Sequence, residues 1–173
     1  MARTHRFRRP GLQRRQQSGM FLIEALVGIM LFMIGILGLV GLSAFAIAAQ
    51  SDAQYRTEAA NIASEITQQA WVNVDRTGAT PQLRATALKT SLLTFRHNTS
   101  GDACNFSGNA SGNAVVTAWL TSARKLPGAT TAMQQILVDT DETTGFNRMT
   151  VTVCWKVPSN PVARQHVLAT YVN

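Results

Sequence analysis

From Met20 to Ala49 every position is apolar or glycine except Glu24 and Ser43, and no proline intervenes. A run of about 30 such residues predicts a helix about 45 Å long, against a bilayer hydrocarbon core of about 30 Å. It exceeds what a membrane needs, so part of it is expected to pack against protein. Gly28, Gly35, Gly38 and Gly41 punctuate the run. Each costs about 1 kcal/mol relative to alanine in an exposed helix, yet small residues also let helix backbones approach one another closely.

The helix is predicted to continue beyond Ala49. No glycine or proline occurs from Gln50 to Val74, and Tyr55, Ala59, Ile62, Ala63, Ile66 and Ala70 recur at spacings of three and four. Asp52, Arg56, Glu58, Glu65 and Gln68 fill the opposite face, so this half is amphipathic and ends before Gly78 and Pro81. Leu83, Ala87, Leu88 and Leu92 predict a shorter helix over 82–96. Asn98 to Asn113, rich in Ser, Gly and Asn, reads as a surface loop around Cys104. Ala114 to Lys125, with Trp119 and Leu120, predicts a third helix stopped by Pro127-Gly128.

After that the period changes. Met133 to Val138, Arg148 to Val157 and His166 to Val172 alternate as strands, joined by Asp141 to Asn147 and by Pro158 to Pro161. Short links between successive strands favour an antiparallel meander. The predicted fold is α+β: a long N-terminal helix packed on a small antiparallel sheet of three to four strands. The expected organisation is a leader over 1–19, an apolar helix over 20–49 and a globular domain over 50–173.

Charge changes the picture of the N-terminus. The chain carries 16 basic and 9 acidic residues, a net +7. Six of the basic residues, Arg3, Arg6, Arg8, Arg9, Arg14 and Arg15, fall in the first 19 positions with no acid among them, leaving ten against nine beyond. A nearly neutral remainder lacks the basic face that phosphate-backbone binding requires, so no nucleic acid is expected as a partner. Arginines directly before an apolar span instead predict a cytoplasmic N-terminus and an exported C-terminal domain, a single pass through the inner membrane with the domain in the periplasm. Cleavage as a secretory signal near Ala44, Ala46, Ala48 or Ala49 is the competing reading of the same segment.

Two cysteines, Cys104 and Cys154, lie in the exported part and are read as one disulfide, adding about 4 kcal/mol by closing a long loop. A zinc site combining them with His97 and His166 lacks ligand spacing. Asp139, Asp141 and Glu142 do not fall at EF-hand spacing and read as a hairpin turn. His97 reads as a surface residue and His166 as a strand residue. The N-x-[ST] matches at Asn98, Asn105 and Asn109 are read as turn chemistry. No nucleophile elbow, zinc helix motif, P-loop or dinucleotide fingerprint occurs, so no catalytic residue, cofactor or metal is assigned and the domain reads as an interaction module.

Glu24 remains. A carboxylate in a membrane-length helix carries a penalty of about 2.5–3.5 kcal/mol at the bilayer centre on insertion scales and calls for a cation. If the chain were cut after Gly19, the ammonium of Met20 would lie one turn away, either its own or that of a neighbouring helix staggered by a turn. The rival reading places Glu24 at the hydrated interface with no such role.

Ser18-Gly19-Met20-Phe21-Leu22-Ile23-Glu24 followed by the apolar run resembles the leader and N-terminal helix of type IV pilins and pseudopilins. That resemblance implies the pilin fold, cleavage by prepilin peptidase between Gly19 and Met20, N-methylation of Met20, and use of Glu24 with Met20 in subunit docking. Met20 departs from the family's usual phenylalanine, and Gly41 stands about where major pilins carry a helix-bending proline. Ile34-Gly35-Ile36-Leu37-Gly38-Leu39, Leu126-Pro127-Gly128 and Val151-Thr152-Val153-Cys154-Trp155 resemble a minor-pilin group of the family. Membership there implies partnership with other minor pilins, the major pilin and a tip adhesin. It also implies residence in the inner membrane before incorporation at or near the tip of an extracellular pilus, with roles in adhesion or twitching motility. A minor pseudopilin of a type II secretion system, or a membrane-tethered periplasmic enzyme or binding protein, shares parts of this pattern.

Overall fold

The computed structural model describes residues 20–158, 160 and 162–173. The expected leader, with its six arginines and Gly19, lies outside them, as do Ser159 and Pro161 of the expected turn after the second strand of the meander. Contacts divide the chain after Ala48.

Helix α1 runs without interruption over Met20–Asn73. In the first unit it is the only element among the described residues, and all its residues there are exposed. In the second unit Ala59, Ile62, Ala63, Ile66 and Ala70 are buried and Tyr55 packs beside them, the stripe set by the spacings of three and four. The helix stops where Asn73 turns its amide back to Gln69 O at 2.8 Å and Gly78 and Pro81 follow.

Helix α2 (Pro81–Leu93) starts as its residues direct. Thr80 Oγ1 accepts the Leu83 N–H, and proline occupies the first turn, where its missing N–H costs nothing. It ends three residues before the predicted Arg96. Phe95 and His97 are buried and alternate with exposed Arg96, and His97 makes an isolated antiparallel bridge to Ile136. The chain here has left the helix to flank a strand. Helix α3 (Ala114–Ala123) is capped by Asn113, whose side-chain oxygen accepts from Val115 N at 2.9 Å. The indole Nε1 of Trp119 donates to Ile62 O on α1 at 2.9 Å in the core, which fixes α3 against the long helix.

The segment predicted as loop over 98–113 contains a small hairpin, β1 (Ser100–Asp102) and β2 (Asn105–Ser107). Its two turn residues, Ala103 and Cys104, have φ of 47° and 65°. A two-residue turn with both φ values positive normally uses Asn-Gly, so Ala-Cys carried no hairpin signal. The meander forms as predicted: β3 (Gln134–Asp139), β4 (Arg148–Trp155) and β5 (Arg164–Tyr171) are antiparallel in the order β3-β4-β5. The fold is α+β.

One hydrophobic cluster joins the buried stripe of α1 to Leu88 and Leu92 of α2, Trp119 of α3 and the inner face of the sheet, including Ile136, Met149, Val151 and Trp155. A second, smaller cluster holds Cys104, Phe106 and Cys154. Gly128 is obligatory where α3 hands the chain to the sheet. Its φ is +57°, and a Cβ there would meet Lys156 O at 2.7 Å. Pro127 O accepts the Lys156 N–H at 2.8 Å in the same approach.

Candidate functional site

The candidate site is the head of α1. Met20 is the first described helical residue and Glu24 lies one turn along it; both are exposed. Among the described residues Glu24 makes no ion pair. The surrounding side chains are apolar and open: Phe21 is 74% and Ile23 65% exposed. A window of α1 has mean hydropathy 2.6 with none of it buried, so the helix is long and apolar enough to cross a membrane. Ser43, the one hydroxyl of the run, satisfies itself by donating to Leu39 O at 3.0 Å.

Among the described residues nothing packs against the glycines of this segment. A Cβ added at Gly28, Gly35, Gly38 or Gly41 would meet nothing within 4 Å. Intramolecular packing therefore does not call for glycine at these positions.

The other sequence-singled residues resolve into structural roles. Cys104 and Cys154 are bonded to each other, with Cα atoms 5.9 Å apart, tying the β1–β2 turn to β4. Both sulfurs are thereby consumed, which removes them from any zinc set, and no group of three metal-ligating side chains occurs among the described residues. His166 lies on β5 as predicted. His97 does not lie on the surface: it is 2% exposed. Its Nδ1 accepts the Ser111 N–H at 3.2 Å, and Nε2 faces Thr131 O at 3.3 Å and the Asn98 amide at 3.0 Å. The alternation of Phe95 with His97 was the sequence signal for this burial. Asn98, 8% exposed, spends its amide on Thr131 O and Gln134 O, whereas Asn105 and Asn109 are exposed.

Asp139 at the end of β3, with Asp141 and Glu142 beyond it, organises the turn to β4. Asp141 Oδ1 accepts from Thr143 N at 2.7 Å, Thr143 Oγ1 at 2.5 Å and Thr144 N at 2.9 Å. The Thr143 hydroxyl, then the Thr143 and Thr144 N–H groups, hold its pKa down at about 2. Asp139 accepts from Asp141 N at 3.1 Å, and Glu142 meets Lys89 of α2 at 2.5 Å. The loop is thus built on its own carboxylates.

Sequence reasoning missed two fastenings of α1. Asp52 receives Arg164 from β5 and Arg56 from its own helix, the latter at 3.3 Å. Arg76 donates through Nε and Nη2 to Asn173 O at 3.1 and 3.0 Å, and lies 5.5 Å from the Trp71 ring centre. Their residues stand 112 and 97 positions apart, beyond any local pattern. No family model, curated protein or solved structure matches the chain.

Proposed function

We propose that the chain is a minor type IV pilin: a non-enzymatic subunit held in the inner membrane by α1, helping to prime pilus assembly and entering the filament at or near its tip. The observation that carries this reading is the first unit of α1, wholly exposed, apolar, and bearing one carboxylate, a turn from Met20, with no ion pair among the described residues. Such a surface needs lipid before assembly and other helices after it. Glycines that serve no contact among the described residues fit that use, because they permit close approach of a neighbouring helix. The disulfide-closed α+β domain supports an exported setting.

In this reading prepilin peptidase cuts between Gly19 and Met20, and the ammonium of Met20 on a neighbouring subunit receives Glu24. The loose likeness beyond Ala49 to the minor pilins called PilV favours a pilus over a secretion pseudopilus, with other minor pilins, the major pilin and a tip adhesin as partners. The test is the composition of filaments sheared from cells. The chain should appear in them in small amount and disappear from them in Glu24→Ala cells that still hold it in the membrane. Recovery only with secretion machinery, or unchanged incorporation of Glu24→Ala, would overturn the proposal.

A further inference from the structure

The near balance of charge beyond the arginine segment hides an uneven placement. Helix α3 runs back along α1. Ala114 and Val115 share a cleft with Glu65 and Gln69, and Trp119 reaches Ile62 O, so the C-terminal end of α3 lies toward Tyr55. Arg124 and Lys125 follow at that end. The end of β4 brings Lys156 beside them, its N–H donating to Pro127 O at 2.8 Å. Trp155 pairs with Arg164 of β5, and Arg164 reaches Asp52 on α1. The second unit opens at Ala49, so the end that holds Asp52 is where the chain enters it. That end gathers Arg56, Arg124, Lys125, Lys156 and Arg164.

Few carboxylates stand near these cations. Asp52 is shared by Arg56 and Arg164, and Asp102 belongs to the hairpin tied to β4 through the disulfide. Asp75, Asp139, Asp141 and Glu142 lie at the opposite end, where Asn173 O accepts Arg76 and Asn147 O accepts the Val172 N–H. Glu58 and Glu65 stand between the two ends on α1. Arg124, Lys125 and Lys156 are exposed and make no ion pair among the described residues. The dipole of α3 favours cations at its C-terminal end, which accounts for Arg124 and Lys125 but not for Lys156. The β4–β5 link at this same end leaves Val162 66% exposed. Like charges gathered without counter-charges repel, so the grouping is satisfied by an anionic partner.

We propose that this end of the second unit docks on anionic phospholipid headgroups of the membrane that α1 crosses. Such docking requires that α1 spans a membrane, as proposed above, and does not require a pilus. The apolar run ends at Ala49 and Arg56 follows about two turns later, so the tether keeps the cations at the membrane boundary. Basic side chains beside a membrane span are drawn to anionic lipid, and the attraction fades within a Debye length of about 8–10 Å. Headgroup phosphates accept hydrogen bonds from guanidinium and ammonium groups alike. Val162 adds an apolar contact of the kind that a headgroup boundary receives.

Fluorescence of the full chain reconstituted in vesicles tests it. Both native cysteines are bonded, so one introduced thiol takes a fluorophore selectively. Thr121→Cys places the probe on the exposed side of α3, one turn before Lys125. Gln82→Cys places it at the opposite end, on α2, whose Lys89 meets Glu142. With a headgroup-linked quencher, the Thr121 probe should be quenched in equimolar phosphatidylglycerol and phosphatidylcholine but not in phosphatidylcholine alone. Salt at about 0.5 M should release it. Arg124→Gln, Lys125→Gln and Lys156→Gln should each lower the docked-to-free ratio about fivefold. The Gln82 probe should stay bright throughout. Equal quenching at Thr121 in the two vesicle types, insensitivity to salt and to the substitutions, or matching quenching at Gln82 would overturn the proposal. A chain that fails to float with either vesicle would overturn the membrane reading too, whereas one that floats without docking overturns this inference alone.

Discussion

Trp119 shows how much one N–H can organise. Its ring fills the core at 2% exposure while Nε1 donates to Ile62 O, a helix carbonyl of α1. Trp119→Phe keeps most of the apolar bulk and removes the donor, and should lower stability by about 1–2 kcal/mol in denaturant titration of the folded domain. Trp119→Ala should cost about 3–5 kcal/mol by adding a cavity. The burial of Trp119 was legible, because the tryptophan sits in an amphipathic ten-residue helix; its partner 57 residues earlier was not. His97 marks the opposite failure. An isolated histidine beside polar residues reads as surface, whereas its neighbours Ser111, Thr131 and Asn98 arrive from separate segments to satisfy the ring. Glu24 carries the sharpest residue-scale prediction. An uncompensated carboxylate of about 2.5–3.5 kcal/mol corresponds to roughly a hundredfold in association, so Glu24→Ala should reduce co-purification with partner subunits by about that factor. The measurement is quantitative pull-down from membranes.

At the scale of elements, periodicity located α1, α2, α3 and the meander within a few residues, since each buries a face set by its own local repeat. The β1–β2 hairpin escaped because its turn uses Ala103-Cys104 where positive φ normally selects Asn-Gly, and because a bond to Cys154, 50 positions away, holds it. Replacing both cysteines by alanine should therefore cost about 4 kcal/mol, read as a lowered thermal midpoint. The β3–β4 loop makes a pH prediction. The Asp141 pKa of about 2 lies below its ordinary value of 3.8, so the carboxylate favours the folded loop at any pH above 3.8. That contribution is lost as pH falls from about 4 toward 2. Asp141→Asn should flatten the acid limb of a melting-temperature profile in that window and leave its slope near neutrality unchanged.

At the scale of the molecule, the chain joins two surfaces with opposite requirements. The first unit of α1 exposes an unbroken apolar helix, and the second unit buries a mixed α+β core closed by one disulfide. Composition alone conceals this, because a net +7 is concentrated in an arginine segment that a cut after Gly19 would remove. The length and apolarity of the helix were legible because both are properties of consecutive residues. What covers it was not, since a cover from outside the chain leaves no periodic trace within it. The central claim is that α1 begins its working life at Met20. Intact-mass measurement of the protein recovered from membranes tests this directly. The result should be the mass of residues 20–173, with the two cysteines oxidised and one methyl group on the Met20 amine. A mass retaining residues 1–19, or one showing a cut beyond Ala44, would contradict it.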